Sequence, residues 1–88
     1  MPTSVIEEAL YKEQIDNLRI DWKMLDDAFL TMEQAVLKVP DIFPLVRGTR
    51  LRRVQLIGFP GVPPISIYFA VQGPNAHLVA AELILSED

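Results

Sequence analysis

Arg47, Arg50, Arg52 and Arg53 fall within seven consecutive residues. Guanidinium groups that close together can hold phosphates and steady the charge that develops on a phosphorane oxygen. The other basic side chains are Lys12, Arg19, Lys23 and Lys38, spread along the first half of the chain. Tyr68 can give a proton or stack on a base, and His77 is the only histidine. Each has a plainer reading. Arginines on an edge strand keep it from aggregating and pair with acidic helices. A strand tyrosine usually packs with its hydroxyl at the rim. His77 has no Cys, Ser or Asp in a recognisable arrangement beside it, so it reads as a surface residue rather than a catalytic base. Asp26-Asp27 and Glu7-Glu8 do not suggest a metal, because adjacent helical side chains point about 100° apart. There is no phosphate-cradling glycine loop and no ligand cluster, so no cofactor is expected.

The chain that must position these residues has 88 amino acids, enough for one domain spanning residues 1–88. It has no cysteine, which rules out disulfides and thiolate metal sites and fits a reducing compartment. Its apolar runs are far shorter than a bilayer span, and its start lacks the pattern of a signal peptide, so a cytoplasmic protein with no membrane partner is expected. The net charge of −4 is unevenly distributed. Residues 1–46 carry four basic and nine acidic side chains, whereas residues 47–88 carry four basic and three acidic. Overall acidity argues against a general nucleic-acid binder. A local basic patch still acts over a Debye length of about 8–10 Å.

Residues 3–8 fit either a short strand, through Thr3, Val5 and Ile6, or a capped helix start, through Ser4 and Glu7. From Ala9 a helix is expected, with Leu10, Tyr11, Ile15 and Leu18 on its packed side. Asp21 reads as the N-cap of a second helix at about 22–38, whose apolar stripe runs through Leu25, Ala28, Phe29, Met32, Ala35, Val36 and Val39 until Pro40 stops it. Trp22 reads as an anchor between the helices, and the short link between them implies a helical hairpin. Strands are expected at about 49–57, 65–72 and 78–85, joined by the turn formers of residues 58–64 and 73–76 into an antiparallel meander. Strict alternation places Ser66, Tyr68, Ala70 and Gln72 on one face of the middle strand. It also groups Leu78, Ala80, Glu82 and Ile84 on one face of the last. The expected fold is α+β, a helical hairpin on a three-stranded antiparallel sheet, or a four-stranded one if residues 3–7 pair. The uncovered side would be apolar around Leu78, Ala80 and Ile84, an interface for a second copy or another protein.

This layout resembles the RelE/ParE toxin superfamily. The local likeness rests on Val39-Pro40-Asp41-Ile42-Phe43-Pro44, on Gly48-Thr49-Arg50-Leu51-Arg52-Arg53, on Ile65-Ser66-Ile67-Tyr68-Phe69 and on Leu78-Val79-Ala80-Ala81-Glu82-Leu83-Ile84. The resemblance implies the toxin of a bacterial toxin–antitoxin pair, wrapped by a cognate antitoxin. Some members cleave messenger RNA on the ribosome without a metal; others bind DNA gyrase. By position, Arg50, Arg52 or Arg53 matches the family's sheet arginine and Tyr68 its mid-strand tyrosine. These four are the catalytic candidates, and Arg47 joins the arginines as a nucleic-acid contact. Two departures are plain: the chain is acidic, and Leu85-Ser86-Glu87-Asp88 carries no basic or aromatic group after the last strand.

Two functions are therefore expected of this sequence. One is a toxin-like, metal-independent endoribonuclease or translation inhibitor. The other is a non-catalytic interaction module, an inactivated or gyrase-binding type of family member, working through its sheet face as a homodimer or with a partner.

Overall fold

The computed structural model describes residues 2–18, 22–57 and 64–84, and for residues 22–24 the backbone alone. In chain order the elements are β1 (Ser4–Glu7), α1 (Ala9–Asn17), α2 (Trp22–Lys38), a 3-10 turn (Pro40–Ile42), β2 (Arg52–Leu56), β3 (Ile65–Gln72) and β4 (Asn75–Leu83). Two helices and a four-stranded sheet make an α+β domain. The strand order is β1-β4-β3-β2. The meander β2-β3-β4 is antiparallel as expected. Residues 4–7 resolve to a strand, and β1 runs parallel to β4, with Ser4 opposite Asn75 and Glu7 opposite Leu78. The sheet is thus mixed, which corrects the expectation of an all-antiparallel one. A parallel neighbour requires a crossover, and the two helices lie in that connection.

α2 follows the expected stripe. Leu25, Met32 and Val36 are buried against Val54 of β2, Ile65, Ile67 and Phe69 of β3, and Ala76, Leu78 and Ala81 of β4. Phe43, just after the 3-10 turn, meets Phe69 edge to face, with ring centroids 5.7 Å apart. α1 sits beside β4 where β1 stops. The Glu8 N–H donates to the Leu78 carbonyl (3.0 Å), and the Ala81 N–H donates to Gln14 Oε1 (2.8 Å). Tyr11 is its buried anchor, while Leu10, expected inside, is exposed. The Asp21 cap, the Trp22 side chain, the residues linking the helices and the turn at 58–63 lie outside the described residues.

β2 and β4 differ in extent from the alternation pattern for local reasons. β2 begins at Arg52 because Val46–Thr49 closes a turn through Gly48 at φ +78°, and the Thr49 N–H and hydroxyl both donate to the Val46 carbonyl. β4 begins at Asn75 because Gly73 and Pro74 alone make the hairpin turn. Gly73 takes φ +58°, which a first turn position of this kind demands.

β4 also carries a bulge. Phe69 pairs with Leu78 and Tyr68 with Ala80, leaving Val79 without a partner. The extra residue reverses the phase of the strand. Leu78 points into the core and is 0% exposed, so the expectation that it belongs to an outer apolar face is corrected. Ala80 and Ile84 are half-buried.

Candidate functional site

α2 covers one face of the sheet, and the register assigns the residues of the other. Arg53 stands opposite Tyr68, Gln55 opposite Ser66, Ser66 opposite Glu82, Tyr68 opposite Ala80 and Ala70 opposite His77. Paired residues of a ladder share a face. Arg53, Ser66, Tyr68, Ala80, Glu82 and His77 therefore lie on the side away from α2, where Arg53 and Glu82 are exposed and Ser66 is buried.

Tyr68 is the centre of this side. Its hydroxyl donates to Glu82 Oε1 at 2.5 Å. That bond is the main reason its phenol is held above the usual tyrosine range, with burial and the Glu82 charge adding to it. Arg53 and Ser66 lie near enough to act in the opposite direction. The Ser66 hydroxyl is buried and completes no hydrogen bond of good geometry of its own, so its effect on Tyr68 is the weaker interaction. The tyrosine stays a neutral proton donor at ordinary pH. Arg47, Arg53 and Tyr68, with Pro44, Leu45 and Val46, line a concavity of about 260 Å³.

The four arginines separate. Arg53 reaches the open face from β2. Arg47 and Arg50 are exposed in and beside the turn ahead of it, and neither makes a hydrogen bond or ion pair to another described residue. Arg52 does not join them. It stands opposite Phe69 on the α2 side, where its guanidinium donates to the Phe43 carbonyl at 2.6 Å and pairs with exposed Asp41 at 3.5 Å. Arg52 thus stands apart from the other three and braces the chain between α2 and β2.

Sequence reasoning missed Glu82, Ser66 and the surroundings of His77. Glu82 is the one charged residue in a strand otherwise of Asn, His and apolar residues, and that was the available signal. His77 Nδ1 lies 2.7 Å from Glu8 Oε2, a contact between residues 69 positions apart that no local pattern announces. On the α2 side, Glu7, Tyr11 and Glu33 cluster. Burial raises the Tyr11 phenol, with Glu7 and then Glu33 adding to it, and burial followed by Glu7 raises Glu33. Among the described residues, no group of three or more His, Asp or Glu is placed to hold a metal, and no helix is long and apolar enough to cross a membrane.

A scan against protein-family models finds none that matches the chain, and a search of curated proteins finds no match either.

Proposed function

We propose that this protein is a RelE/ParE-like toxin component that cleaves RNA across the open face of its sheet. The observation that carries the reading is the cross-strand pair Arg53–Tyr68 with Tyr68 bonded to Glu82. The element order, one strand, two helices and then a strand meander, supports the reading, with α1 and α2 taken as a helical hairpin and a cognate antitoxin as partner. Arg53 holds the scissile phosphate and offsets charge as the phosphorane forms. The Tyr68 phenol, kept protonated, supplies a proton to the departing 5′-oxygen. Arg47 and Arg50 contact flanking phosphates, and such contacts weaken as salt rises. None of these groups can take the 2′-hydroxyl proton, because a guanidinium has no free acceptor and the phenol is already protonated.

Induced expression in bacteria tests this directly. Wild type should arrest growth and create new RNA 5′-hydroxyl ends, while Arg53→Ala should lower the cleavage rate about 10²-fold or more. Wild-type expression with neither arrest nor new ends would sink the reading.

The interaction-module reading has one observation in its favour. Ala28, Met32 and Ala35 of α2, with Phe43, Val54, Leu56 and Ile57, line an apolar groove of about 500 Å³ at the β2 edge. A strictly monomeric protein at high concentration, with nothing co-purifying, removes its main support.

A further inference from the structure

The proton acceptor missing from that scheme has a candidate on the same face. Glu8 sits at the junction of β1 and α1, and its carboxylate receives His77 Nδ1 at 2.7 Å. A carboxylate only accepts, so Nδ1 carries the proton and Nε2 is left as the basic nitrogen. His77 is about one-quarter exposed, and it opens into a concavity of about 550 Å³ formed with Glu8, Ala9, Leu10, Ala70, Gln72 and Val79. Of these only Glu8 and His77 ionise. His77 is the register partner of Ala70, two residues from Tyr68. Strand geometry thus puts the Cα atoms of His77 and Tyr68 about 8 Å apart. Between them lie Ala70 and Ala80, whose side chains end at Cβ. The concavity at His77, which Val79 also lines, and the one at Arg53 and Tyr68 share no residue, and an RNA strand laid across Ala70 and Ala80 would reach both.

We infer that His77, oriented by Glu8, takes the 2′-hydroxyl proton of an RNA strand whose adjacent phosphate is held by Arg53. This rests on the RNA-cleaving reading above. The 2′-oxygen forms a bond to phosphorus and the P–O5′ bond breaks. The proton from the 2′-hydroxyl moves to Nε2, and the leaving 5′-oxygen receives the Tyr68 proton. The products are a 2′,3′-cyclic phosphate and a 5′-hydroxyl, and solvent restores both side chains. His77 is then a catalytic residue and Glu8 a positioning residue.

Two measurements test it. In the first, ¹⁵N-labelled protein is titrated with an equimolar mixture of the four ribonucleoside 3′-monophosphates, following the Arg53 side-chain signal and the imidazole nitrogens. The single histidine makes the assignment unambiguous. Both sites should shift. Movement of Arg53 without His77 overturns this inference and leaves the RNA reading standing; movement of neither overturns both. In the second, His77→Gln should lower kcat for RNA cleavage by about 10²–10⁴-fold with KM nearly unchanged. Glu8→Ala should cost less, and its ¹⁵N shifts should show the imidazole proton no longer held at Nδ1. Cleavage by His77→Gln at the wild-type rate overturns the assignment.

Discussion

The bulge at Val79 makes an unusual prediction, that deleting a residue from a central strand does little harm. Inward residues of β4 are Ala76 and Leu78 before the bulge and Ala81 and Leu83 after it, with Val79 the residue that has no partner on β3. Its removal leaves all four inward and makes the strand regular. What is lost is a half-buried valine, worth about 1 kcal/mol when full burial of such a side chain is worth about 1.5–3. Deleting Tyr68 from β3 is the control. It sets Phe69 out of phase with Ile67, although both are 0% exposed, and turning a core phenylalanine outward costs about 3–5 kcal/mol. A domain of this size holds about 4–13 kcal/mol in all. With a urea slope of about 1 kcal/mol/M, the Val79 deletion should lower the midpoint by about 1 M. The Tyr68 deletion should leave little or no folded protein. Circular dichroism in urea measures both. Equal losses, or a well-folded Tyr68 deletion, would refute the register.

Arg52→Ala should cost about 1.5–3 kcal/mol, the usual value of a hydrogen bond to a charged group, because it frees the Phe43 carbonyl. Arg50→Ala, two residues away on the surface, should change stability by less than about 0.5 kcal/mol, and comparison of urea midpoints separates them. Glu33→Gln should stabilise the protein at pH 7 by about 0.5 kcal/mol after allowance for solvent screening. A raised carboxyl contributes stability that is complete below its unfolded pKa and is lost as pH rises through its folded one. The advantage of the variant should therefore vanish towards pH 3, and a gap independent of pH would contradict it.

Much of the scaffold could be read directly. The stripe from Leu25 to Val36 located α2, and Ile65–Gln72 matched its strand, because a buried face imposes its period on the sequence. The parallel pairing of β1 could not be read, since nothing in residues 4–7 names a partner some 70 positions away. Leu78-Val79-Ala80-Ala81 hid the bulge: four apolar residues look alike whichever way they point, and only pairing with Phe69 and Tyr68 fixes the phase. The site was legible in part for the same reason. Alternation grouped Tyr68 with Ser66 and Ala70 on one face, while the Tyr68–Glu82 and Glu8–His77 contacts depend on register and long-range closure.

The place of β1 also bears on how the chain is made. Its hydrogen-bonding partner, residues 75–78, leaves the ribosome long after residues 4–7 do. During synthesis the helices can form from local contacts, but the sheet stays open on its β1 flank until those late residues emerge, and non-local pairing of this kind is slow. A nascent chain of this protein thus exposes an unsatisfied ribbon for most of its birth, the interval in which a chaperone would have most to do.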